Sequence, residues 1–161
     1  MVRRANENDI PRVLALLSQV LEVHARIRPD IFISGTVKYG EEELKAIFRD
    51  ETKPVYVAQD ENGNVTGYVM CRLREPPFSS TMVPHKTLYV DDLCVDESMR
   101  GKHIGEALFR YAAAQAQKLG CYDVTLNVWE GNDAAKGFYE KMGMRPRETQ
   151  MELILPPDEK E

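Results

Sequence analysis

Apolar residues along the chain recur at two different spacings. Ile10, Val13, Leu14, Leu17, Val20, Leu21 and His24 return every three or four positions, which lines one face of a helix. Asn6 to Asp9 supply helix-start chemistry ahead of that stripe, Pro11 suits its first turn, and Pro29 stops it near Arg28. Leu44, Ile47 and Phe48 mark a second, shorter helix over 41–50. A short strand is expected at 2–5. Strands over 55–59 and 65–73 flank an Asn62-Gly63 turn, the signature of a hairpin. Pro76 and Pro77 break the second of them, and a strong strand follows over 87–95. Helical spacing resumes at Ile104, Ala107, Leu108, Tyr111, Ala112 and Leu119, interrupted on that face by Gln115, and Gly120 suits its end. A strand over 122–129, a helix over 132–142 closed by Gly143 and a last strand over 150–155 complete the pattern.

This order predicts an α+β fold, a mixed sheet with helices on its faces. The length of 161 residues suits one domain, placed at 1–155 with a frayed tail at 156–161. A hydrophobic fraction of 43% with 29% charged residues fits a globular chain. The net charge of -5 is ill suited to gripping nucleic acid through counterion release, though it leaves room for a basic pocket. Cys71, Cys94 and Cys121 show neither a CxxC pair nor zinc-ligand spacing. They read as reduced, buried side chains, so no metal is expected and the location expected is cytoplasmic. Neither a signal-type apolar segment nor a run long enough to span a bilayer is visible, so no membrane partner is expected.

The chemistry gathers after the third strong strand. Leu93-Cys94-Val95 runs into Arg100-Gly101-Lys102-His103-Ile104-Gly105, where a helix opens. Unpaired N–H groups and the positive dipole end of a helix start bind phosphate oxygens. Glycine at 101 and 105 lets a ligand come close to the backbone. The frame fits neither a Walker loop nor a Rossmann fingerprint. By itself the segment reads equally well as a plain strand-to-helix connection.

The segment resembles the acetyl-CoA signature of the GNAT superfamily, Gln/Arg-x-x-Gly-x-Gly/Ala. Arg100 and Gly105 stand at its first and last positions, and His103 occupies the middle glycine's place. A non-glycine residue is acceptable there as long as φ stays negative. A second block is similar to the family as well: Leu126-Asn127-Val128, then Asn132, Ala135, Phe138, Tyr139 and Gly143, with Met144 in place of the usual Phe. Together the blocks cover roughly residues 87–145. The resemblance implies a mixed, mostly antiparallel sheet, splayed at its middle strands and flanked by about four helices. It further implies an enzyme that moves an acetyl group from acetyl-CoA to a primary amine by direct attack in a ternary complex. The alternative is a non-catalytic module of the same fold that senses acyl-CoA.

The resemblance also assigns roles. Backbone groups of Leu93, Cys94 and Val95 would pair with the pantetheine arm. The amides of Arg100, Gly101, Lys102, His103, Ile104 and Gly105 would hold the pyrophosphate. Asn132 would hydrogen-bond the cofactor, and Tyr139 would protonate the leaving thiolate. On a regular strand Asp91 and Asp92 point to opposite faces, and Tyr89, Asp91 and Leu93 share one face. Asp91 is the expected base; the alternative is that both aspartates are structural or hold the acceptor's cation. Family members that acetylate ribosomal-protein N-termini usually carry a glutamate where this chain has Asn127, which argues against that substrate. His24 and Asp30, with Trp129 and Glu130 near the same mouth, are expected to border the acceptor, a small molecule or a peptide amine. The 150–155 strand is a candidate for pairing in a homodimer.

Overall fold

Local chemistry starts the first helical segment as expected. Asn6 accepts a hydrogen bond from the Asn8 N–H (3.0 Å), and Asp9 accepts one from the Asn6 N–H (2.9 Å). This reciprocal cap leads into α1, Ile10–Ile27. In the computed structural model, which describes residues 1–159, α1 buries Ile10, Val13, Leu16 and Leu17. The second helix, α2 (Glu41–Arg49), adds Leu44 and Phe48 to the same core.

Among the described residues five strands form one sheet in chain order: β1 (Val2–Arg4), β2 (Val55–Gln59), β3 (Val65–Arg74), β4 (Thr87–Val95) and β5 (Asp123–Leu126). The first three pairings are antiparallel and β4 with β5 is parallel. Helix α3 (Ile104–Lys118) bridges the parallel pair, and α4 (Asp133–Lys141) follows β5. Helices α1 and α2 cover one face of the sheet, around Tyr68 and Met70. Helix α3 covers the other, with Leu108 and Ala112 against Val69, Leu88 and Val90. Each fully buried aliphatic side chain contributes about 1.5–3 kcal/mol. Gly67 on β3 makes this packing possible: a Cβ there would lie 2.8 Å from the Cys94 carbonyl oxygen and 3.0 Å from Leu108. Among the described residues no helix is long and apolar enough to cross a membrane.

Three sequence expectations need correction. First, β4 is not regular. Met70 pairs with Asp92 and Cys71 with Val90, so Asp91 is an extra residue in a β-bulge. The bulge resets the alternation. Leu88 and Val90 face α3 before it, and Leu93 and Val95 do so after it. Asp91 and Asp92 consequently meet partners on the same face, and Leu93 lies on the opposite one. Second, the strand expected over 122–129 stops at Leu126, because its parallel pairing ends at Val90↔Leu126. The bulge bends β4 just beyond that point. Third, residues 150–155 form no strand, since no neighbouring strand reaches them within the subunit. Met151, Leu153, Ile154 and Leu155 are 70–85% exposed. Of the expected tail, 156–159 is irregular and exposed, and 160–161 lies outside the described residues.

Candidate functional site

The splay between β4 and β5 opens the site. From Asp91 to Val95, β4 pairs with β3 on one side, while on the other side no strand among the described residues accompanies it. That edge spans Leu93, Cys94 and Val95. Their side chains are engaged elsewhere: Leu93 and Val95 pack towards α3, and Cys94 is buried on the α1 face with its Sγ 3.4 Å from the Leu16 carbonyl. Burial pushes the Cys94 thiol up to about 12, so it stays protonated. The edge therefore offers backbone groups rather than side-chain chemistry.

Below the splay, the loop into α3 forms a pocket of about 240 Å³. Arg100, Gly101, His103, Ile104 and Gly105 line one side, and Phe138, Lys141 and Met142 of the α4 region line the other. Lys102 is exposed and lies outside this lining. The helix start is left open to a ligand. Residue 103 is its cap but supplies no side-chain hydrogen bond, and the first helical amide to find a backbone carbonyl is that of Ala107 (3.1 Å to His103). The amides before it are the free donors of a helix N-terminus. A Cβ on Gly105 would make only ordinary contacts, 3.5 Å or more, with Phe138 and Val95, so the protein's own packing tolerates one there.

His103 corrects another expectation. Its φ is +60°, the left-handed region, and among the described residues it is the only non-glycine with positive φ. Gly101 beside it has φ +81°. The turn thus demands a glycine-like conformation that the imidazole residue adopts under strain. The exposed His103 ring has Glu106 within 3.5 Å.

At the upper end of the splay, the two aspartates have different surroundings. Asp91 is held by two cations and a hydroxyl: Lys38 Nζ lies at 2.9 Å, Arg72 stands at 4.0 Å and Tyr39 Oη donates at 3.3 Å. Asp92 accepts a 2.6 Å hydrogen bond from the Tyr68 hydroxyl. Burial pushes Asp92 up to about 6, against the opposing pull of Tyr68 and Lys38. Tyr139 is set by α4 against Phe138 (5.1 Å) and Phe109 (6.1 Å). Burial, and then the nearby charge of Asp92, raise the Tyr139 phenol well above its usual value. A carboxylate that titrates near neutrality thus neighbours a hydroxyl that holds its proton.

Asn132 is the N-cap of α4, and its Oδ1 accepts from the Ala135 N–H (3.3 Å). This fixes the helix that carries Tyr139 and leaves the Asn132 amide nitrogen as a donor. His24 and Asp30 meet in one cluster at the end of α1. His24 packs on Phe32 (5.2 Å), Phe32 meets Trp129 edge-on (5.4 Å), and Arg28 lies over Trp129 (6.0 Å). Arg28 grips Asp30 with two hydrogen bonds (2.8 and 2.7 Å). Burial, followed by the charge of Lys38, lowers the pKa of His24, so its ring is neutral at pH 7. Sequence reasoning did not single out Lys38, Tyr39, Tyr68, Arg72 or Phe32. Only the face alternation of β3, with Tyr68 and Arg72 an even number of residues apart, hinted at part of this group.

The sequence matches the acetyltransferase (GNAT) family over residues 18–144. Among solved structures, a mutant of the BH1408 protein from Bacillus halodurans superposes with a TM-score of 0.92 at 35% identity, covering 97% of this chain and 99% of that one. The peptidyl-lysine N-acetyltransferase YjaB of Salmonella typhimurium is 30% identical over 89% of this chain and 82% of its own length. The glucosamine 6-phosphate N-acetyltransferase of Trypanosoma brucei brucei is 37% identical over 42% of this chain. The match spans less than half, 44%, of that relative's length.

Proposed function

The chain belongs to the GNAT acetyltransferase family, and from that membership we propose that it transfers an acetyl group from acetyl-CoA to a primary amine by direct attack in a ternary complex. One observation carries this reading: the unpartnered β4 edge connects the open α3 N-terminus with the Asp92–Tyr139 pair. Acetyl-CoA supplies the activated acetyl carbonyl. The free amides from Arg100 to Gly105 hold its diphosphate, with the helix dipole aiding. Backbone groups of Leu93 to Val95 hold the amide-containing arm as an added strand would. Asn132 has one donor to offer the same arm.

Asp92 accepts the amine's proton, directly or through one water, because its carboxyl titrates close to working pH. This moves the base from Asp91, whose carboxylate is already neutralised by Lys38 and Arg72. Asp91 orders the wall of the acceptor site instead. Tyr139 donates its proton to the departing sulfur, which suits a phenol kept protonated. The amine enters past His24, Asp30 and Trp129. Relatives act on glucosamine 6-phosphate and on peptidyl-lysine, so sugar amines and lysine peptides head the acceptor panel. Cysteines held as thiols suit a reducing cytoplasmic setting.

Free thiol release from acetyl-CoA is measured with and without each amine. The expected outcome is amine-dependent release that Tyr139→Phe slows. Thermal stabilisation by CoA with no release for any amine identifies a sensing module instead. No stabilisation and no release overturns the cofactor assignment.

A further inference from the structure

The sheet face under α1 and α2 carries more positive charge than its own carboxylates use. On β3, Val69, Cys71 and Leu73 pack towards α3, so Tyr68, Met70, Arg72 and Arg74 share the opposite face. The bulge's extra residue lies on β4, and β3 keeps its alternation past it. Arg72 pairs with Tyr89 and Arg74 with Thr87. Both arginines therefore stand on the face that holds Asp91 and Asp92. Asp92 itself pairs with Met70. At about 3.4 Å per residue, the Arg72 backbone lies about 7 Å along β3 from that row and the Arg74 backbone about 14 Å. They extend the site away from Val95 and the entrance to α3.

Most donors of these two side chains are unused. Arg72 gives one hydrogen bond, from Nη2 to the Tyr39 hydroxyl (3.0 Å), and stands 4.0 Å from Asp91. Asp91 already accepts the 2.9 Å bond from Lys38. The Arg74 guanidinium lies over the Tyr89 ring, 3.6 Å from its centroid. A cation held on a ring face keeps its N–H groups for other partners. Among the described residues no carboxylate pairs with Arg74. The other carboxylates of this face are engaged. Asp92 accepts from Tyr68, and Asp123 on β5 holds Thr87 (2.6 Å) and Arg147 (3.5 Å). Lys38, Arg72 and Arg74 are thus left with Asp91, in a chain whose net charge is -5. An uncompensated positive strip of this kind attracts an anion.

We propose that the acceptor amine carries an anionic group, a carboxylate or a phosphate, which Arg72 and Arg74 hold while the amine lies at Asp92. This rests on the acetyl-transfer reading above. Guanidinium forks bind both anions through paired N–H donors. The amine sits at the Asp92 row and the anion one or two side-chain repeats further along β3. That spacing suits a small molecule of the length of an amino acid or a sugar phosphate. The same charges work against other acceptors. A neutral amine leaves both guanidinium groups unpaired, and a polyamine brings a second cation towards them.

Matched amines isolate the anion. L-Lysine and cadaverine differ by one carboxylate, and glucosamine 6-phosphate and glucosamine by one phosphate. Thiol release is measured with the whole chain for all four, and their binding is measured separately by calorimetry. The anionic member of at least one pair should have a kcat/KM about 10- to 100-fold higher, and the pair that responds assigns carboxylate or phosphate. Arg72→Gln and Arg74→Gln should each shrink that ratio about tenfold, and Arg74→Lys should restore part of it. Turnover with no preference for either anion overturns the proposal and leaves acetyl transfer standing. So does a preference that both glutamine variants keep. Anion-dependent binding that both variants lose, without turnover of any amine, supports the anion site and overturns acetyl transfer. Neither binding nor turnover of any of the four overturns both.

Discussion

The two ends of the sheet are built to different standards of completeness. At the β2–β3 hairpin, Val55, Val57 and Tyr68 are wholly buried under Leu16, Leu17 and Leu44, and Val69 is wholly buried on the other face under Leu108 and Ala112. At β5 and α4 no residue is fully buried, although Phe138 and Tyr139 sit there. The first region needs nothing beyond the chain to satisfy its surfaces. The second presents free amides, a free strand edge and half-covered aromatics. The difference teaches where to look for chemistry: this fold completes itself on one side and leaves the other side to be completed by what it binds.

Substitutions can break or sharpen that contrast. Tyr139→Phe, in the open region, should lower kcat about 10²- to 10⁴-fold with an unchanged melting temperature, measured by thiol release beside a thermal melt. Leu16→Ala, in the closed region, should do the reverse. It should cost about 2–5 kcal/mol in denaturant unfolding, with kcat kept by the protein that remains folded. Asp92→Asn lies on the border and should change both. In the parent enzyme kcat/KM should fall as pH drops through about 6, because the base becomes protonated. The variant should lose that limb. Stability has its own sign. The folded pKa of Asp92 lies above the ordinary carboxylate value of about 3.9, so the unfolded chain ionises first and stability declines as pH rises from about 4 to 6. Asp92→Asn should abolish that decline, of order 3 kcal/mol, in pH-dependent melts. The smallest effect is expected at His103→Gly. Relief of the left-handed strain should add up to about 1 kcal/mol, less what glycine loses in chain entropy. Acetyl-CoA affinity by calorimetry should hold or improve. A large loss of affinity would assign the imidazole a contact of its own.

Much of this was legible in the residues. The α1 stripe, the limits of β4 and the hairpin at Asn62-Gly63 follow from periodicity and turn chemistry. The glycine loop and the Tyr139 helix were visible as paired motifs. Three features were not, each for a physical reason. The bulge at Asp91 depends on register against β3, which a single strand's sequence does not encode. The φ of His103 is set by the tight entry to α3 and overrides the residue's own preference. The 150–155 segment has strand composition, yet a strand exists only with a neighbour, and periodicity says nothing about which chain supplies one.

The bulge has one more consequence. A single inserted residue gives β4 two reading frames of side chains. Up to Val90 the even positions look towards α3; from Leu93 the odd ones do. The frame shift falls at the border between the proposed acceptor wall and the unpaired backbone edge. Substitutions at Tyr89 and Asp91 leave the stretch from Leu93 to Val95 untouched, whereas deleting residue 91 would heal the bulge: Val90, Leu93 and Val95 would keep their common face in one unbroken alternation, and the strand would lose only the contacts that Asp91 makes. One extra amino acid thus separates the side chains that face Lys38 and Arg72 from the bare backbone stretch that follows.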